Sequence, residues 1–155
     1  MVMTDEELLV RMRTRVPPTA QLLGQELLAL DSRAGTVRMR FMGRPEFCNP
    51  MGHVQGGILA AMLDDAAACA VIVKSQRRIV VPTIEFKVSF LRPARMGRPI
   101  IAEGRCLKLG RTVAFAESDL FDPEGALLAR LSTSCVPSPL EGEGLMIERP
   151  TEGGA

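Results

Sequence analysis

Tryptophan and tyrosine are absent from this chain, and phenylalanine occurs only six times among 155 residues. So few rings leave little on which bases could stack. Nineteen basic against eighteen acidic residues, a formal charge of +1, supply no field to draw in a polyanion or an anionic membrane. Both counts speak against nucleic-acid binding. The four cysteines, Cys48, Cys69, Cys106 and Cys135, never fall within four residues of one another as zinc sites normally require, and they read as reduced core thiols. No metal site is implied. Long apolar runs are missing too: none reaches eighteen residues, and the opening MVMTDEELLVRMRTR alternates charge with apolar residues, unlike a signal peptide. A cytoplasmic protein with no membrane span is the expectation.

What is present suits one domain with a real core. Thr4 with Glu7 fits a capping box, and Leu8, Leu9 and Met12 recur at helical spacing, predicting a short helix from Asp5 to Arg13 that Val16-Pro17-Pro18 ends. Glu26 to Leu30 and Thr36 to Met42 read as a hairpin turning at Gly35, followed by a loop from Gly43 to Gly52. An apolar helix is predicted from Gln55 to Val73. Beyond it, Ile84, Phe86, Val88 and Phe90 alternate with polar residues as in a half-buried strand. Ile100 to Leu109, Thr112 to Phe121 and Leu127 to Val136 supply three further strands, the last two joined through the turn Asp122-Pro-Glu-Gly125. Short connections make the sheet antiparallel, and an all-apolar helix has to be wrapped by it. The expected class is α+β: about six strands around one long central helix, with a short N-terminal helix. The domain should span residues 1–140, and the Pro-, Gly- and Glu-rich residues 141–155 are expected to be mobile.

The central helix carries the chemistry. Gly56 and Gly57 open it, and Asp64 and Asp65 sit in its middle. A carboxylate there must be paired, protonated or facing a cavity. Free N–H groups in a first helical turn can hold an oxyanion, and glycine allows close approach.

The run Asn49-Pro-Met-Gly52-His-Val-Gln55-Gly56-Gly57 with Asp64, and downstream Phe90-Leu-Arg-Pro93-Ala-Arg-Met-Gly97 and Gly110-Arg-Thr112, resembles the hotdog-fold acyl-CoA thioesterases of the phenylacetate-pathway (PaaI-like) type over roughly residues 20–137. The resemblance implies hydrolysis of a small or medium acyl- or aryl-CoA. Asp64 would be base or nucleophile, the Gly56 N–H the oxyanion donor, Thr83 a holder of the attacking water, and Asn49 an orienter of the carbonyl or of Asp64. Each has a plainer alternative: a salt-bridged core acid at 64, close helix packing at 56, a β-branched strand residue at 83, a local turn at 49. Asp65 is expected to pair with a basic residue or face solvent at a subunit contact. The family usually has histidine where Gln55 stands, and the only histidine, His53, lies two residues earlier. Gln55 can take over a hydrogen-bonding duty but not proton transfer.

Gly56 and Asp64 are eight residues apart, about 12 Å along a helix axis. Too far apart to flank one carbonyl easily, they point to a homodimer or homotetramer with sites shared between subunits, as the resemblance also implies. Coenzyme A enters as part of the substrate, so no resident cofactor is expected. Its phosphates need local cations, for which Arg92, Arg95, Lys108 and Arg111, with Gly110 for backbone approach, are the candidates; the alternative is solvated strand ends. Met51, Met62 and Met96 are candidates for an acyl tunnel or core filler. Two other functions fit the same fold: a non-catalytic acyl-CoA-binding module, and a hydroxyacyl-thioester dehydratase, which would want a histidine base.

Overall fold

The structure is a computed structural model and describes residues 1–150. Helix α1 (Asp5–Thr14) starts at Thr4, whose hydroxyl accepts from the Glu7 N–H while the Glu7 carboxylate accepts from the Thr4 N–H, the predicted reciprocal cap. Where the sequence predicts only a break, a short helix α2 (Pro18–Leu23) forms. Proline is at home in a first helical turn because its missing N–H would have had no partner there, and Gly24 ends the helix at φ 69°.

Six strands make one antiparallel sheet. In chain order they are β1 (Glu26–Asp31), β2 (Thr36–Met42), then after the helix α3 (Gly56–Ser75) β3 (Thr83–Phe90), β4 (Pro99–Leu109), β5 (Ala114–Phe121) and β6 (Leu127–Cys135). Their spatial order is β1-β2-β4-β5-β6-β3. The alternation in β2 sends Val37, Met39 and Phe41 into the core and Arg38 and Arg40 outward. Helix α3 packs chiefly on β4 and β5, burying Met62, Leu63, Ala66, Ala67, Ala70 and Val73. This is the expected sheet wrapped around a single helix.

Two contacts fix how closely helix and sheet approach. A Cβ at Gly104 in β4 would stand 2.2 Å from the Ala66 carbonyl oxygen, so only glycine lets α3 lie this near. Next to it, the buried Ser118 hydroxyl in β5 donates to the Leu63 carbonyl at 2.7 Å. A ladder of charge crosses β4, β5 and β6. Arg105 bonds Glu117 at 2.6 Å and Asp119 at 3.1 Å, and Arg130 bonds Asp119 at 2.6 Å. Those two guanidiniums outweigh burial and hold the Asp119 carboxyl below its ordinary range.

Strand β3 departs from expectation. Ile84, Phe86 and Phe90 are 55%, 45% and 54% exposed rather than half-buried on one face. The reason is positional: β3 is the last strand of the sheet, paired only with β6, and α3 hardly reaches it. Some residues of the segment from 141 onward, expected to be mobile, make contacts with the rest of the chain. Ile147 and Glu148 pair with Val16 and Arg15, and the Arg149 guanidinium donates to the Gln21 side chain at 2.9 Å and to the Gln25 carbonyl at 2.7 Å. Residues 151–155 of that segment lie outside the described residues. Cys69, Cys106 and Cys135 are buried free thiols and Cys48 is partly buried.

Candidate active site

Helix α3 starts without a side-chain cap. Gln55 occupies the N-cap in an extended conformation (φ −63°, ψ 142°), its exposed amide making no capping bond. The N–H groups of Gly56 and Gly57, first and second in the helix, find no acceptor among the described residues. Both glycines retain some exposure, so a pair of unspent donors at the positive end of a 20-residue helix faces outward. The packing alternative for Gly56 has a partial basis, since a Cβ there would meet the Phe90 ring at 3.1 Å. Gly57 has nothing within 4 Å of such a Cβ.

Two turns further along, Asp64 is half-buried and accepts a 3.0 Å hydrogen bond from the Thr83 hydroxyl at the head of β3. No lysine, arginine or histidine nitrogen lies within 4.0 Å of it among the described residues, so it is not a salt-bridged core acid. Burial pushes its pKa up, and the Thr83 hydroxyl pulls it partly back. An uncompensated carboxylate with a raised pKa, oriented by one hydroxyl, can accept a proton or attack a carbonyl.

Asp65 behaves otherwise than expected. Among the described residues it forms no ion pair, and it turns to the far side of α3, where the Gln25 amide donates to it at 3.0 Å and Cys69 lies 4.0 Å away. Burial pushes its pKa up to about 6. That arrangement was hidden in the sequence because Gln25 lies 40 residues away on the other side of β1 and β2.

Asn49 makes a local turn: its side-chain carbonyl accepts from the Met51 and His53 N–H groups at 3.0 and 3.2 Å. His53 bridges to Arg95 through the backbone, and the Met96 N–H donates to the Gly52 carbonyl at 3.2 Å. Arg95 and Met96 therefore border the loop leading into α3, and Arg92 nearby donates to the Leu127 carbonyl at 2.8 Å. Gly110 and Arg111 instead line an open cleft of about 490 Å³ with Ser75, Arg77 and Arg78, at the other end of α3. Within one chain the coenzyme A candidates, exposed Lys108 among them, are thus split between the two ends of the central helix. Gly110 has a local reason to be glycine, since a Cβ would sit 2.3 Å from the Val113 carbonyl oxygen. Met62 is core, while Met51 and Met96 are exposed beside the loop.

Comparisons with known proteins bear on the family and the fold. The profile of the Thioesterase superfamily matches residues 51–129, from the loop before α3 into β6. Acyl-coenzyme A thioesterase 13 of Homo sapiens is 25% identical over 122 residues, covering 78% of this chain and 86% of the relative. A phenylacetic acid degradation-related protein from Ralstonia eutropha JMP134 superposes with a TM-score of 0.76 at 32% identity, covering 86% of this chain and 99% of that one. A Streptococcus mutans UA159 protein solved bound to acetyl-CoA shares the fold, with a TM-score of 0.68 at 15% identity over 76% of this chain and 91% of its own. The chain belongs to the Thioesterase superfamily and is a thioester hydrolase of the hotdog fold.

Proposed function

We propose that the protein hydrolyses a small or medium acyl- or aryl-CoA, with Asp64 as the working carboxylate and the Gly56 N–H as the oxyanion donor. The observation that carries this reading is the state of Asp64: half-buried, held by Thr83 and, among the described residues, neutralised by no cation. In the water route, Asp64 takes a proton from a water that attacks the thioester carbon. Negative charge gathers on the carbonyl oxygen at the Gly56 N–H, the C–S bond breaks, and the thiolate leaves with the proton Asp64 held. In the alternative, the Asp64 carboxylate attacks the thioester carbon, the C–S bond breaks and the thiolate leaves, and water then opens the resulting anhydride to free acid and carboxylate. Isotope from labelled water enters Asp64 in a single turnover only by the second route.

One chain cannot supply both groups to one carbonyl, given the roughly 12 Å between them along the helix. Two copies with their α3 helices side by side and antiparallel bring Gly56 of one to the partner's Asp64. The exposed apolar edge of β3 and the exposed Gly57 and Ala61 on α3 support such a contact. Antiparallel placement also carries the partner's Gly110 and Arg111 cleft toward the end of α3 where Arg92 and Arg95 stand. The coenzyme A phosphates would then be gripped from both chains, reuniting the cations that the single chain keeps apart. Asn49 keeps its amide N–H₂ free for the acyl carbonyl, since the bonds it makes use its oxygen.

The test is thiol release from a panel of acyl- and aryl-CoA thioesters. Asp64→Asn is expected to lower kcat by about 10²–10⁴ with substrate binding retained. Gly56→Pro removes the N–H yet suits the first helical position, and the extended Gln55 before it tolerates a following proline. Its kcat should fall by about 10²–10³ with little change in melting temperature. Wild-type turnover by both variants would defeat the assignment.

A further inference from the structure

On the side of α3 that Asp65 faces, an apolar cavity of about 250 Å³ opens between α1 and α3. Leu8, Met12 and Ile72 are among its walls, and Arg11, Arg15 and Arg78 also line it. We propose that this cavity binds a free monocarboxylate with an apolar body of about eight to ten carbons, its head on Arg11, Arg15 and Arg78.

The size follows from comparison: an engineered apolar cavity of about 150 Å³ holds benzene, and this one is larger. The charge follows from imbalance. Glu143 is shared by Arg15 and Arg78, while Arg11 has no carboxylate within 4.0 Å among the described residues. The Arg15 Nε is buried and has no acceptor among them. Arg78 and Arg15 stand near enough to Arg11 to add to burial in pushing its pKa down. At the arginine end of the cavity Glu143 is the carboxylate that Arg15 and Arg78 share, so these guanidiniums with Arg11 can take up a further anion, while Asp65 stands at the α3 side.

Orientation follows from the polar groups on the α3 side. Gln25, 5% exposed, is spent on Asp65 through its N–H₂ and leaves its own carbonyl oxygen unpartnered. An acceptor oxygen and an acid repel a carboxylate head, so the head lies with the arginines and the chain points inward. Because Asp64 and Asp65 are about 100° apart around the helix, the cavity is separate from the hydrolytic site and does not depend on that reading.

Calorimetric titration of the full chain with sodium octanoate, 1-octanol and inorganic phosphate tests this. The expected result is saturable binding of one octanoate per chain, retained in Asp64→Asn. Arg11→Gln should weaken it about tenfold by removing a charge-assisted bond. Ala68→Leu, which fills the cavity from α3, should abolish it. Octanol and phosphate should each bind at least about tenfold more weakly than octanoate. Absence of saturation, octanol binding as tightly as octanoate, loss of binding in Asp64→Asn, or unchanged affinity in Arg11→Gln would each overturn the proposal. If Ala68→Leu does not fold, as read by its melting temperature, Arg11→Gln on the partly exposed helix α1 decides.

Discussion

At the scale of single residues, burial and the Thr83 hydroxyl act in opposite directions on Asp64, the carboxylate proposed to carry out hydrolysis. Burial raises the pKa and the hydroxyl lowers it, so the acid limb of the rate profile should inflect above the ordinary aspartate range. Activity should be lost as pH falls through that point, because in either proposed route the carboxylate form is the working one. Thr83→Ala removes the lowering influence and should move the inflection upward; kcat/KM measured against pH for both proteins checks the sign. An inflection that stays put would mean Thr83 is only a strand residue. Asp64 and Gly56 were legible in the sequence because helix, glycine pair and carboxylate follow one another in a single run. Gln25 against Asp65 was not, because a pairing across 40 residues leaves no local spacing to read. Asn49 was legible only as a pair of alternatives, and its bonds to the Met51 and His53 N–H groups belong to the turn.

At the scale of elements, the fit of α3 on β4 rests on glycine. Adding a methyl at Gly104 sets it against a backbone oxygen that cannot swing aside. Gly104→Ala should therefore cost about 1–3 kcal/mol, read as a lower midpoint in chemical denaturation. An unchanged midpoint would show that the helix can lift from the sheet without loss. The central helix and five of the six main strands were legible from periodicity because each buries a face on a common core, while β3 was legible from its alternation alone. Helix α2 was not, since Pro17 and Pro18 read as a stop and six residues carry no clear period. The exposure of β3 was hidden for another reason: alternation marks an apolar face and is silent on whether the same chain covers it.

At the scale of the whole molecule, the proposed division of the site between two copies would have a consequence that no single-chain site shares. Asp64→Asn and Gly56→Pro chains are each expected to be nearly inactive alone, but a mixed pair would contain one site with both wild-type groups. Unfolding and refolding the two variants together should restore about a quarter of wild-type activity at equal amounts, since half the pairs are mixed and one of their two sites is whole. Activity no higher than that of the separate variants would place both groups in one chain. The bond from Ser118 to the Leu63 carbonyl ties the middle of the helix to the sheet one residue before Asp64, so the height of that carboxylate along the sheet is set by β5 and not by the loop that enters α3.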